Sequence, residues 1–408
     1  MTETRNHTGS PFPQQPPLLG RSVSRRGFLR GVALGGGLAL GSGVLAACGT
    51  KGAATTGSKS AKDLSATEKV VNFSNWPLYI DLDEKTKKHP TLDEFKKKYG
   101  ITVRYTEDIN DNDEFFGKVR PELAAGKSTG RDIVTLTDWM AARMIRLNYV
   151  QKFDKANIPN AKNLNPALQH PGFDPNRDYT LPWQSGLTGV AYNPKATGGK
   201  PVTSISQLLT DKSLKGKVTA LTEMRDTMGL ILLDQGKDPA NFTDDDFANA
   251  IDMLQKAVSD GQIRKFTGNE YAQGLANGNI AACIAWSGDV VQLQPDNPGI
   301  KLVLPDAGCM IWSDNLMIPN KASHKANAEK LINYFYDPTV AATVEDYVNY
   351  ICPVIGAQQA MAKIDKAFVH NQLIFPDQQT LAKTHIFKNL DGPTETKYNN
   401  MFTAVTGA

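Results

Sequence analysis

The chain has 408 residues, with 45 Lys plus Arg against 42 Asp plus Glu, for a formal net charge of +3. Residues 1–47 hold five arginines and one glutamate, a net +4 that leaves −1 for the rest, and a near-neutral body excludes the phosphate-neutralising surface on which nucleic-acid binding rests. Four cysteines with no zinc spacing exclude a cysteine-built scaffold, and the length calls for two lobes or domains rather than one core.

The first segment in chain order reads as an address rather than as fold. Ser24-Arg25-Arg26-Gly27-Phe28-Leu29-Arg30 sets a twin arginine ahead of a glycine-rich apolar run, Val32 to Ala47. That run is too short for a membrane span, which needs about 20 strongly apolar residues. It ends at Leu45-Ala46-Ala47-Cys48-Gly49, where small residues admit a peptidase and a cysteine follows. The order is similar to a bacterial twin-arginine export signal joined to a lipobox, and this resemblance implies removal of residues 1–47 and a diacylglyceryl thioether on Cys48. Gly49 to about Thr67 lacks large apolar residues apart from Leu64 and reads as a flexible linker. Residues 48–68 are therefore expected to tether the protein to the outer face of the cytoplasmic membrane.

From Lys69 the pattern alternates between strand and helix. A strand at Val70 to Phe73 leads to an amphipathic helix from Leu92 to Tyr99, closed by Gly100, and then to a strand from Ile101 to Tyr105. A helix from Asp113 to Ala125, with Pro121 marking a kink or an end, precedes a buried strand from Asp132 to Leu136. Strands follow at Gly189 to Tyr192, Lys217 to Leu221 and Ile280 to Ala285, with helices at Asp244 to Ser259 and His324 to Tyr336. Repeated β-α-β order predicts an α/β fold whose ligands sit at the carboxyl ends of strands.

All five tryptophans fall at or just past expected strand ends or in loops: Trp76, Trp139, Trp183, Trp286 and Trp312. Three travel with an aspartate, as Asp138-Trp139, Trp286-Ser287-Gly288-Asp289 and Trp312-Ser313-Asp314, and Tyr79 and Tyr350 add rings in similar segments. Rings and carboxylates are what a flexible organic cation requires, since methylenes pack on aromatic faces and carboxylates offset lost ammonium hydration. Glu223 and Asp226 follow a strand and open a helix, where capping of free N–H groups is the competing explanation. Asp138 has the same two readings. Enzyme signatures of the metalloprotease, nucleophile-elbow and phosphate-loop types are missing, and the histidines, among them His170, His324, His370 and His385, read as surface residues. Cys309 and Cys352 could bridge in an oxidising exterior, although buried free thiols are the simpler expectation.

Taken together, Asn75-Trp76-Pro77-Leu78-Tyr79, Asp132-Ile133-Val134 leading to Thr137-Asp138-Trp139, Asp178-Tyr179-Thr180-Leu181-Pro182-Trp183 before Gly189-Val190-Ala191-Tyr192-Asn193, and Ala285-Trp286-Ser287-Gly288-Asp289 resemble the spermidine/putrescine-binding proteins of ABC importers. The resemblance implies a type II-like periplasmic-binding-protein fold, with two mixed α/β lobes joined by a multi-strand hinge. Its crossings would lie near Ala191, Ser287 and Gln358, giving residues 69–190 plus 288–358 as one lobe and 191–287 plus 359–408 as the other. It further implies Trp76, Tyr79, Thr137, Trp139 and Tyr350 as first-lobe contacts, Glu223 and Asp226 as second-lobe carboxylates, Trp286 and Asp289 as hinge aromatic and acid, and Asp314 as the acid of putrescine-type members. Pro77 departs from the family in standing where a polar residue is common, and a glutamine used by some members has no match around Phe387.

The expectation is a monomeric, lipid-anchored polyamine receptor that delivers ligand to ABC permease subunits, without catalysis, metal or cofactor. Another organic cation or amino-acid-like solute, an extracellular enzyme on the same fold, and a scaffold with a vestigial cleft stay open on the residues alone.

Overall fold

A computed structural model describes residues 61–407; the expected export signal, Cys48 and residues 48–60 of the expected tether lie outside the described residues. Ten strands form among them: β1 (Val70–Asn75), β2 (Thr102–Glu107), β3 (Ile133–Thr137), β4 (Leu181–Tyr192), β5 (Val218–Leu221), β6 (Ile263–Thr267), β7 (Ala282–Trp286), β8 (Lys301–Val303), β9 (Cys309–Met317) and β10 (Thr384–His385). Their main path runs β2-β1-β3-β9-β4-β7-β5-β6. One end is a parallel set, β2-β1-β3, and the other end is a second parallel set, β7-β5-β6. Between them β9 and β4 run antiparallel to their neighbours. β8 joins β4, and β10 joins β9. Helices pack against both parallel sets, as the buried strands β1, β3, β5 and β7 require.

Local chemistry explains the boundaries. Gly100 ends the helix Pro90–Tyr99 at φ 69°, a left-handed position that glycine takes without strain. Asp111 caps the helix Asn112–Ala124 by accepting from two backbone N–H groups, and Thr243 with Asp246 forms a capping box ahead of Asp244–Ser259.

Five expectations need correction. The strand read as starting at Gly189 begins at Leu181, and its buried positions run almost unbroken along the element, so neither face shows the alternation that marks a half-exposed strand. β9 was not expected, because its Ser313-Asp314-Asn315 centre reads as a loop. It is buried as strand because Ser313 meets the Ser185 hydroxyl at 2.7 Å and Asn315 donates to Asp138 at 2.7 Å. Trp183 and Trp312 consequently lie inside strands rather than in loops. His324 is buried, with its ring nitrogens 2.9 Å from Asp132 and 3.0 Å from Glu68. Finally, the end of the expected tether is docked: Asp63 and Ser65 accept from the N–H groups of Ala326 and Asn327, supplying caps to the helix Lys325–Phe335, whose own N-cap side chain supplies none. Cys283, Cys309 and Cys352 are free and buried.

Candidate functional site

The carboxyl ends of both parallel sets face one cavity of about 280 Å³, the position at which open α/β sheets hold ligands. Trp76 and Tyr79 reach it from the turn after β1, Thr137 and Trp139 from the end of β3 and the first turn of the helix Asp138–Arg146. Glu223 and Asp226 come from the start of the helix Met224–Asp234 after β5, and Trp286 and Asp289 from the end of β7 and the helix behind it. Asp314 projects from β9, and Tyr350 follows the helix Pro338–Val348. All ten residues singled out in the sequence therefore line the same space.

Two glycines let the rings seat. A Cβ on Gly288 would stand 2.1 Å from the Tyr350 ring, and one on Gly186 would stand 2.4 Å from the Trp312 indole. The wall then continues ring to ring, with Trp76 and Trp312 each 6.3 Å from Trp286 edge to face, and Tyr79 5.3 Å from Tyr350.

Into this wall are set three carboxylates held by neutral donors. Asp314 accepts from Tyr79 at 2.8 Å and from Thr137 at 2.7 Å. Asp226 accepts from Thr188 at 2.9 Å and from the Trp286 indole at 2.8 Å. Asp289 accepts from Tyr350 at 2.8 Å, Tyr271 at 2.7 Å and Asn269 at 3.0 Å. Among the described residues none of the three lies within ion-pair distance of a cation. Burial therefore dominates: it pushes the Asp314 carboxyl up to about 7 and that of Asp226 up to about 6, against the hydrogen bonds that favour ionisation. Asp289 is raised for the same reason. A ligand cation would restore their charge, so the cavity is built to attract one.

Glu223 differs. It caps its helix by accepting from the Arg225 N–H at 3.3 Å, and its carboxylate also lies 3.8 Å from the Arg225 guanidinium. Burial still outweighs that neighbour and pushes its carboxyl up to about 8. Capping and cavity lining are thus both true of Glu223, whereas Asp226 makes no cap. Asp138 also lines the cavity and does not cap; its oxygens accept from Asn315 and from the Ser313 N–H, and burial raises it to about 6.

Several lining or supporting residues escaped the sequence reading. Asn112 donates to Thr137 at 2.9 Å and reaches Glu223 at 3.5 Å. Thr188 links Asp226 to the Trp312 indole, which donates to it at 2.9 Å. Arg225 stacks 3.7 Å over the Trp139 ring. The segment Ile386 to Asn389 also lines the cavity. Trp183, by contrast, turns away from the cavity: it packs on Phe335 at 4.6 Å and donates to the Tyr79 carbonyl at 3.1 Å. Among the described residues no cluster of three or more His, Cys, Asp or Glu is placed to hold a metal.

Comparison with known proteins agrees with this architecture. The chain is 31% identical over 350 residues to the putrescine-binding periplasmic protein of Escherichia coli, covering 80% of this chain and 89% of that one. It is 26% identical over 311 residues to a spermidine/putrescine-binding periplasmic protein of Salmonella typhimurium, covering 76% of this chain and 84% of that one. Among solved structures, a spermidine/putrescine ABC transporter chain from Listeria monocytogenes superposes with a TM-score of 0.72 at 24% identity, covering 83% of this chain and 99% of that one, which establishes the fold as that of substrate-binding proteins. The family described as bacterial extracellular solute-binding protein matches residues 91–369, and on that match the chain belongs to this family.

Proposed function

We propose that the protein is the extracytoplasmic receptor of an ABC importer and captures a polyamine of the putrescine/spermidine class. One observation carries the reading: Asp226, Asp289 and Asp314 are buried in a ring-walled cavity, each fixed by neutral donors and none paired with a protein cation. A chain of methylenes ending in ammonium groups satisfies both parts, its carbons against Trp76, Trp286 and Tyr350 and its charges against the acids. In this reading Trp139, Tyr79 and Thr137 complete the wall on one side and Glu223 on the other. The names of the similar E. coli and S. typhimurium proteins support the same ligand class.

Residues 69–190 plus 288–358 and 191–287 plus 359–408 are proposed as lobes that close on the ligand, since a cation touching both favours the shut state. The proposed lipid on Cys48 keeps the monomeric receptor at the outer face of the cytoplasmic membrane, near its permease. No chemical step is assigned to it.

Thermal-shift titration of the mature protein with putrescine, spermidine, spermine, an uncharged diol and an anionic solute tests the proposal. Polyamines should raise the melting temperature by mass action, by an amount that grows with concentration. A shift with the diol or the anion and none with any polyamine would overturn it.

A further inference from the structure

The acids of the cavity are not equivalent. Among the described residues Asp226, Asp289 and Asp314 have no cation within ion-pair distance, although the Arg225 charge is felt at Asp226, whereas Glu223 has one. Arg225 is 7% exposed; its guanidinium lies 3.8 Å from Glu223 on one side and 2.7 Å from Glu395 on the other, and it covers the Trp139 ring at 3.7 Å. Glu395 is fixed in turn by Arg143 at 3.2 Å and Arg146 at 3.0 Å. The guanidinium is thus held on three sides and cannot swing away without leaving Glu395 and the indole face. Asn112 donates to Thr137, the donor to Asp314, and reaches Glu223, so the Glu223–Arg225 pair is linked to Asp314 through two intervening side chains and lines the same cavity.

We infer that Arg225 limits the length of the ligand: its guanidinium takes the carboxylate and the aromatic face that a further ammonium of a longer polyamine would use. The cavity then accepts a short diamine and rejects triamines and tetramines. The inference rests on the polyamine reading above and deepens it. Like charge placed against a buried guanidinium is costly, because desolvated charges interact far more strongly than in water.

Calorimetric dissociation constants for putrescine, spermidine, spermine and a series of α,ω-diaminoalkanes test this on the wild type and on Arg225→Met, which keeps an apolar stem over Trp139, and Arg225→Lys, which keeps the charge. The wild type should bind putrescine at least about tenfold more tightly than spermidine, with affinity falling along the diaminoalkane series beyond the short members. Arg225→Met should shift the putrescine-to-spermidine ratio toward spermidine by about tenfold, the order expected for one cation–π contact with one partly buried ion pair, and Arg225→Lys should shift it less. A wild type that binds spermine or a long diaminoalkane as tightly as putrescine overturns the inference without any variant, as does an unchanged ratio in folded Arg225→Met. Absence of all polyamine binding by the wild type overturns the proposed function as well, which separates the two failures.

Discussion

β3 has a buried aspartate at each end, and the two are built for opposite purposes. Asp132, just before the strand, accepts from the backbone N–H groups of Asn72, Ser323 and His324, from the Asn72 side chain at 3.1 Å, and from the His324 ring at 2.9 Å. Asp314, paired across from Thr137 at the other end, has two hydroxyl donors and no cation. A carboxylate saturated by five donors, one of them a basic ring, is finished and holds the fold together. One with two neutral donors is unfinished, and it lies where the carboxyl ends of the strands open onto the cavity. Saturation, more than burial, separates these two acids.

The sharpest way to break this contrast is to remove each acid in turn. Asp132→Ala should cost about 3–5 kcal/mol of stability, the usual loss when a buried, fully hydrogen-bonded charge leaves its partners unpaired, while the folded fraction keeps its polyamine affinity. Chemical denaturation followed by calorimetry on the folded protein checks both. A loss under about 1 kcal/mol would show that those bonds do not hold β3 to the helix Lys325–Phe335. Asp314→Asn should do the reverse. Polyamine affinity should fall by about a hundredfold, as for loss of one buried charge-assisted contact, and the melting temperature of the ligand-free protein should not fall, because a neutral amide ends the burial of an unpaired charge. Retained affinity in Asp314→Asn would remove that residue from the site.

Much of this contrast could be read in the sequence, but only part of it for the right reason. The strand-end motifs at Trp76, Thr137 and Trp286 were legible because short apolar runs stop abruptly at a ring and a polar residue. β9 was not, since its middle is Ser313-Asp314-Asn315 and only partners far along the chain, Ser185, Tyr79 and Asp138, make that stretch buried strand. Arg225 sits in the same short motif as Glu223 and Asp226, yet an arginine among acids at a helix start reads as a solvated first turn; its stacking on Trp139 depends on how the two parallel sets face each other. Trp183, read as a strand-end or loop tryptophan but not as a contact, lies inside β4, and its ring supports the wall from behind. His324 looked like a surface histidine because Asp132 and Glu68 are both distant from it in sequence.

The smallest effect expected is the dependence on pH, and it bears directly on the two ends of β3. In the ligand-free protein burial lifts Asp314 to about 7 and Asp226 to about 6, so near pH 6 these carboxyls hold protons that a dication must expel. Affinity for putrescine should therefore be full only above about pH 8 and decline as pH falls through 7 and then 6, by at most about tenfold per pH unit for each proton expelled. Calorimetry in buffers of different ionisation enthalpy should register proton release near pH 6.5. Stability of the ligand-free fold runs the other way, because a carboxyl raised above its unfolded value favours the fold at low pH, and that contribution is lost as pH rises through the folded value. His324 acts with the same sign: burial pulls it down, but the hydrogen bonds its ring donates to Glu68 and Asp132 win and leave it raised, so its contribution is also lost as pH rises. That pair, however, lies at the other end of β3 from the cavity and is common to the free and bound forms, so it cancels when the two are compared. The rise in melting temperature produced by putrescine should thus grow from pH 5.5 to 7.5 while the melting temperature of the free protein drifts down. A ligand-induced shift independent of pH would mean that Asp314 is already ionised in the free protein, and the distinction between a saturated acid and an unfinished one would lose its electrostatic half.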